Sequence, residues 1–154
     1  MLTAKDLMRP EVVTISPETT VGKAIDILIA HGVSGLPVVD FDNRVSGIIT
    51  EFALLSTVYN PGVMTDPVSQ HMTKEVISVS SDEQASRVAD LFILHRIRRV
   101  IVEEHGKLAG LISRRDLLKA ARELPQPLTA PSPFAEQVAW RAGRDAALTR
   151  SSST

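Results

Sequence analysis

An internal repeat constrains the fold of this chain more than any other feature of its sequence. When the sequence is shifted by 64 residues, Met8 falls on Met72 and the apolar positions after each methionine stay in register. After a turn the register continues with a shift of 63 residues. A register that survives one short gap indicates a duplicated structural unit. We place the two copies at residues 1–60 and 61–122.

Each copy predicts the same order of elements, β-α-β-β-α. The expected strands are residues 12–15, 36–39 and 45–49 in the first copy, and 76–79, 100–102 and 108–112 in the second. The first helix of each copy has apolar residues at helical spacing: Val21, Ala24, Ile25 and Leu28, and then Ala85, Val88, Ala89 and Phe92.

Polar residues and a glycine mark the ends of these helices. Ser16 and Ser81 are helix-entry residues, and Ser81 stands at capping-box spacing from a glutamine. Gly32 has the position of a C-terminal cap. A second helix is expected to begin at Thr50 in the first copy and at Ser113 in the second.

The strands predict an α/β fold of the α+β type with mixed sheets. They are short apolar runs without alternation, so both faces of each sheet should be covered. One copy alone would leave an apolar sheet face in water. We therefore expect the two copies to pack face to face around a pseudo-twofold axis, because this buries that surface.

Composition excludes several classes of protein. The 154 residues are 44% hydrophobic with a net charge of −1, which gives no reason to expect nucleic acid or an anionic membrane as partner. The chain has no cysteine, so it can form neither a disulfide nor a thiolate metal site. The N-terminus lacks the order of a signal peptide, and we expect a cytoplasmic protein.

Three segments together resemble one family. They are Gly32–Asp40, Gly47–Thr50 and Gly110–Leu118, and with their lead-ins they look like tandem cystathionine-β-synthase (CBS) domains, also called a Bateman module, over roughly residues 2 to 122. The resemblance implies a regulatory module without catalysis or a prosthetic group. It implies AMP, ATP or S-adenosylmethionine as ligand in clefts between the copies. It also implies a homodimer of two pairs that acts on a regulated protein, which the sequence does not identify.

Ser113-x-x-Asp116 at a predicted helix start has two interpretations. It is a capping box in structural terms, and a helix N-terminus also suits phosphate. The resemblance implies that Asp116 binds ribose and that Ser113 lies near ribose and phosphate. The first copy has Ala53 where the second has Asp116, so we expect two unequal sites, with Phe52 partly filling the weaker one.

The resemblance also implies the rest of the binding site. The adenine pocket of the Asp116 site would come from Met8, Val12, Val13, Val33, Ser34 and Pro37, with Ile112 and Arg115 beside Asp116. For Val12 and Pro37, ordinary core packing is an equal alternative. Ser34 favours a ligand, because a small polar residue leaves room beside it.

Basic residues and histidines complete the set of candidates. Arg98 and Arg99 lie in the one dense basic cluster, either as cations at a helix C-terminus or as partners of the ligand phosphate. His31 and His95 lack acidic or cysteine partners at ligand spacing, so no metal site is expected. No nucleophile with a positioned base is found, so no catalytic residue is expected.

The C-terminal part changes character. Residues 123–133 form a proline-punctuated linker, and residues 134–154 predict an amphipathic helix with Phe134 and Trp140. This tail could pack back on the pair, exchange with a dimer partner, or lead into another domain.

Two functions follow from the sequence. The first is a nucleotide-sensing module. The second is a structural dimerisation or protein-interaction module with degenerate nucleotide sites, and Ala53 is its best support.

Overall fold

A computed structural model describes residues 1–128; the predicted tail at 134–154 and the end of the linker lie outside them. The chain folds into mixed α and β structure. In chain order the helices and strands are α1 (Ala4–Leu7), α2 (Val21–His31), β1 (Gly35–Val39), β2 (Val45–Thr50), α3 (Glu51–Leu54), β3 (Ser78–Ser80), α4 (Ala85–His95), β4 (Arg99–Glu104), β5 (Lys107–Ser113) and α5 (Arg114–Glu123). Three 3₁₀ turns, Leu55–Val58, Pro61–Thr65 and Val68–Gln70, lie between α3 and β3.

The described residues form two compact units. Unit A comprises Met1–Arg9, Val79–Val102 and the described residues from Leu111 onward, and unit B comprises Pro10–Ser78 and Glu103–Gly110. The units follow the two copies of the repeat except for three segments, one of which is residues 61–78 of the second copy, found in unit B. The N-terminal segment Met1–Arg9 belongs with residues of the second copy, and Glu103–Gly110 belongs with residues of the first.

Unit B is built from α2 and the antiparallel pair β1–β2. The threonine hydroxyl of Thr20 accepts the N–H of Lys23 at 3.2 Å and caps α2, and Gly32 ends it with φ 60°, as predicted. The predicted helix face is buried, with Ile25 packed at its edge. The core consists of Ile15, Val21, Ala24, Leu28, Leu36, Val38, Ile49, Leu54 and Val68.

The strand predicted at residues 12–15 does not form. Only Ile15 pairs, in parallel with Val38: its N–H donates to Pro37 at 3.1 Å, and its carbonyl accepts from Val39 at 2.9 Å. The next bond along the ladder would need an N–H on Pro37, which proline lacks. The prediction is wrong because Pro37 ends this ladder after one residue.

Unit A contains the helix α4 and, of the sheet β3–β4–β5, residues 79–80, 99–102 and 111–113. The middle strand is fully buried at Val100, Ile101 and Val102, and α4 buries its predicted face at Ala85, Val88 and Phe92. The predicted strand 76–79 is found as β3, which begins two residues later and ends one residue later.

The helix-entry predictions were placed too early in both copies. α2 and α4 begin at Val21 and Ala85, and the residues before them, Thr20 and Gln84, are their N-caps. The predicted capping box of Ser81 is therefore wrong. Ser16 instead closes a turn of its own, since its N–H donates to the hydroxyl of Thr19 at 3.2 Å.

Hydrogen bonds explain why the N-terminal segment belongs to unit A. The N–H of Ala4 donates to the carbonyl of Glu83 at 2.8 Å, and the N–H of Ala85 donates to Leu2 at 3.0 Å. The segment therefore supplies partners for backbone groups at the start of α4, which a helix cannot satisfy by itself.

The tip of the β4–β5 hairpin belongs to unit B for a similar reason. Asn43 and Leu108 exchange two bonds: the N–H of Leu108 donates to Asn43 at 3.0 Å, and the Asn43 side-chain amide donates to Leu108 at 3.1 Å. Lys107 adds an ion pair with Asp42 at 3.3 Å.

Across residues 1–128, every helix is too short or too polar to cross a bilayer.

Candidate functional site

Strand β5 leads directly into α5 and places Asp116 at the start of that helix. Ser113 is the N-cap, and its N–H and its hydroxyl both donate to Oδ2 of Asp116, at 2.7 and 2.8 Å. The N–H of Asp116 lies 3.4 Å from the hydroxyl oxygen of Ser113 in return. The capping-box interpretation of this motif is confirmed.

The other carboxylate oxygen of Asp116 stands outside this box. Oδ1 accepts no hydrogen bond from residues 1–128, and in that range no side-chain oxygen is both buried and without a hydrogen-bond partner. Oδ1 therefore reaches solvent although Asp116 is only 8% exposed. One oxygen fixes the carboxylate and the other is open to a hydroxyl donor.

Arg9 lies beside this carboxylate, a contact that the sequence analysis missed. Its Nε is 3.4 Å from Oδ2 of Asp116, and its side chain is 53% exposed. The backbone of Arg9 is held by Leu111, since Arg9 N–H donates to Leu111 at 2.9 Å and Leu111 N–H donates back at 3.1 Å. The available signal was a difference between the copies, because the repeat places Thr73 where Arg9 stands.

The other predicted site residues of unit A differ in exposure. Arg115 and Arg98 are exposed, and Arg99 opens β4, half-buried and already engaged with a partner. Ile112 is fully buried, so its side chain is core. Met8 is half-buried and ends α1 through a bond from its N–H to Ala4 at 2.9 Å.

The neighbouring Arg114 is committed to the fold. Its guanidinium donates to the carbonyls of Arg96 and Ile97 at 2.9 and 3.0 Å. Arg96 takes the left-handed conformation with φ 51° at the end of α4, where the first copy has Gly32. Arg114 therefore stabilises a turn that a non-glycine residue adopts reluctantly.

The predicted adenine residues after Met8 belong to unit B. Val12, Val13, Val33 and Ser34 are half-buried, and Pro37 is fully buried. Val13 and Val33 pack against the core of unit B, and the carbonyl of Ser34 accepts the N–H that begins α3 at 3.0 Å. For Pro37 the structure supports core packing, while Val12 and Ser34 keep exposed surface.

The corresponding helix start of the first copy has no carboxylate at the position of Asp116, since its acidic residue is Glu51. Thr50 caps α3 by accepting the N–H of Ala53 at 3.2 Å, which repeats the serine half of the box without the acid. Phe52 is 85% exposed. The expectation that Phe52 partly fills a cleft is therefore wrong.

Acidic and histidine side chains do not group into a metal site within residues 1–128. His71 is paired with a single carboxylate, Asp66, at 2.9 Å between Nε2 and Oδ2. A pair of this kind falls short of the ligand number that zinc takes in structural sites.

Comparison with known proteins gives a consistent assignment. The family model "CBS domain" matches residues 4–60 and 68–123. The chain is 35% identical over 124 residues to inosine-5'-monophosphate dehydrogenase of Methanocaldococcus jannaschii, a match that covers 80% of this chain and only 24% of the dehydrogenase. The chain thus spans about a quarter of that relative.

Solved structures agree in fold. The CBS-domain containing protein ATU1752 from Agrobacterium tumefaciens is 35% identical with a TM-score of 0.68, over 78% of this chain and 99% of that one. CBSX2, solved in complex with AMP, is 25% identical with a TM-score of 0.74, over 82% and 100% of the two chains. The resemblance and the mixed α/β class are confirmed. The chain belongs to the CBS-domain family and carries two CBS domains in tandem.

Proposed function

We propose that this chain is a non-catalytic regulatory module that binds an adenosine-containing ligand at the start of α5. One observation carries the proposal: Asp116 is held nearly buried by Ser113 through Oδ2, while Oδ1 stays open to solvent. A fixed acceptor of this kind suits the paired hydroxyls of a ribose. The AMP complex of a relative with the same fold supports an adenine nucleotide as ligand.

The remaining contacts of the ligand are part of the same proposal. The free N–H groups of a helix start and exposed cations favour phosphate, and Arg98, Arg115 and the first turn of α5 offer both. The adenine contacts implied for Met8, Val12, Val13, Val33 and Ser34 remain predictions. AMP and ATP are our first candidates, with S-adenosylmethionine as the third.

Regulation requires an output. A ligand can shift a protein between two arrangements only if it binds one of them better. We propose that the chain forms a homodimer of CBS pairs in the cytoplasm and passes this shift to a regulated protein. The dehydrogenase match covers only about a quarter of that enzyme, so its activity is not transferred to this chain.

Calorimetry with AMP, ATP and S-adenosylmethionine tests the proposal. We expect one dominant site per chain for at least one ligand. Asp116→Ala should weaken that binding by about tenfold or more, since a lost hydrogen bond to a charged group costs on the order of 1.5–3 kcal/mol.

Asp6 offers a matched control for the capping role of Asp116. Its Oδ2 accepts the N–H and the hydroxyl of Thr3 at 2.8 and 3.1 Å, the same box at the start of α1, and this bonding lowers the pKa of the Asp6 carboxyl. Asp6→Ala should leave ligand affinity unchanged. If none of the three ligands binds, or if Asp116→Ala and Asp6→Ala lose the same amount of affinity, the proposal is contradicted.

A second function has one observation in its favour. The exposed side of α3 and the following 3₁₀ turn carries large apolar side chains: Phe52, Leu55, Val58 and Tyr59. Apolar surface of this kind marks interaction sites, and Ala53 weakens the nearby helix start as a ligand site. A dimerisation or protein-interaction module without a ligand is therefore the alternative. Light scattering that finds only monomers at high concentration would count against the dimer in either proposal.

A further inference from the structure

Arg9 is placed beside Asp116 by the backbone. Its two main-chain bonds with Leu111 form an isolated bridge that joins the second residue after α1 to β5, three residues before α5 begins. The position of the guanidinium therefore depends on strand pairing and not on the side chain alone. At 3.4 Å from Oδ2, Nε partly neutralises the carboxylate.

Most of the guanidinium of Arg9 is still available. Within residues 1–128 its two terminal nitrogens donate no hydrogen bond, and the side chain is about half exposed. Arginine binds anionic oxygens in pairs through such a fork. A ligand whose hydroxyls meet Oδ1 of Asp116 would bring its next substituent close to this cation.

Unit B contains the matching position without charge. There Ile48 and Thr73 form the same kind of isolated bridge, and the repeat aligns Thr73 with Arg9 and Ile48 with Leu111. The helix start in that unit carries Ala53 in place of Asp116. Unit A thus has both the cation and the acid, and unit B lacks both at the equivalent positions, which links their roles.

We propose that Arg9 selects for adenosine ligands with a negatively charged 5′ group and against those with a positive one. The inference rests on the proposed function of the Asp116 site. Without Arg9, the carboxylate of Asp116 would attract the sulfonium of S-adenosylmethionine. With Arg9 present, the guanidinium offsets this negative charge, and its terminal nitrogens can bind a phosphate. Unit charges about 6 Å apart change a binding constant by a factor of about ten to a hundred at an effective dielectric constant of about 40 to 20.

The test is calorimetry on the full chain with three ligands that share adenosine and differ at the 5′ carbon. AMP is anionic there, 5′-methylthioadenosine is neutral, and S-adenosylmethionine carries a sulfonium. In Arg9→Gln we expect AMP to bind about tenfold more weakly, 5′-methylthioadenosine within about twofold of the wild type, and S-adenosylmethionine more tightly.

Arg87→Gln is the charge-matched control. Arg87 belongs to the same unit, is 72% exposed and pairs with Glu83 on the surface at 3.6 Å, so its loss should change no ligand's affinity. Arg9→Lys provides a second variant in case Arg9→Gln folds poorly. Lysine keeps the charge without the fork, so the preference for AMP over 5′-methylthioadenosine should be reduced and not lost.

The outcomes separate this inference from the proposed function. Equal weakening of all three ligands, or none, in Arg9→Gln would overturn the role of Arg9 and leave the ribose site standing. If the wild-type chain binds none of the three ligands, the proposed function fails and the selectivity of Arg9 fails with it.

Discussion

Asp42 lies between two cations that come from two different turns of unit B. Arg44 donates to its Oδ2 at 3.1 Å, and the ammonium of Lys107 lies 3.3 Å from Oδ1. The hydrogen bond from Arg44, and then that from Lys107, lowers the pKa of the Asp42 carboxyl below its ordinary value of 3.8. Folding therefore stabilises the ionised form of the Asp42 carboxyl relative to its protonated form.

Asp42→Asn should make the stability of the chain less dependent on pH in the acid range. A lowered pKa contributes stability that is present above 3.8 and is lost as the pH falls through the folded value. The variant should be slightly less stable than the wild type near neutral pH, and the difference should be smaller at about pH 3. Urea midpoints at both pH values measure this. The exposed Asp82→Asn serves as control, and an equal deficit of Asp42→Asn at both pH values would contradict the prediction.

Local spacing determined what could be predicted at single residues. The box of Ser113 and Asp116 spans one helical turn, so its residue types suffice to identify it. The pair of Arg9 and Asp116 is different, because it exists only through the bridge between Arg9 and Leu111. Sequence patterns within one segment carry no information on a pairing of this kind.

Strand β2 is closely covered at Gly47, the glycine of the repeated Gly-Ile-Ile segment. A Cβ there would lie 2.7 Å from the carbonyl oxygen of Thr73 and 2.8 Å from the sulfur of Met72. The oxygen belongs to the backbone of the bridge between Ile48 and Thr73, which cannot move without breaking its bonds.

Gly47→Ala should therefore destabilise the fold. We expect a loss of about 1–3 kcal/mol in the free energy of unfolding, the usual cost of overpacking. Denaturant titration measures it. Gly62→Ala is the control, since its nearest neighbour is the side-chain oxygen of Asn60 at 3.2 Å, which can rotate away. A Gly47→Ala chain as stable as the control would show that the bridge adjusts freely.

Element types were largely predictable, and element ends were predictable only in part: Gly32, Thr50 and Ser113 cap helices as expected, whereas the starts of α2 and α4 were misplaced. Spacing gave the buried faces of α2 and α4, because a helix with one apolar stripe has few other ways to bury it. The strand predicted at residues 12–15 is absent because Pro37, in strand β1, has no N–H to continue the pairing. The helix starts failed because Ser16 and Ser81 have the chemistry of a cap but precede further turn residues.

At the scale of the molecule, neither copy of the repeat contains all of one compact unit. The segment Met1–Arg9 completes unit A, and Glu103–Gly110 completes unit B. The sequence repeat could not show this, because it records similarity between copies and not which residues pack together.

Deleting residues 1–9 should loosen unit A at two defined backbone groups. The N–H groups of Ala85 and Leu111 would lose their acceptors, Leu2 and Arg9, and should exchange with solvent faster. Hydrogen exchange followed by NMR measures both. The N–H of Ile48, which donates to Thr73 at 2.9 Å in unit B, is the internal reference. Unchanged protection at Ala85 and Leu111 would refute the role of the segment.

The exchange of segments also limits how this module can be moved between proteins. A cut between the copies would separate Leu2 and Ala4 from their partners at the start of α4, and Asn43 from Leu108. One copy of the repeat, moved without the other, would expose backbone groups that have lost their hydrogen-bond partners. Gene fusion or recombination should therefore preserve this region only when it is inherited as one uninterrupted cassette that begins ahead of α1.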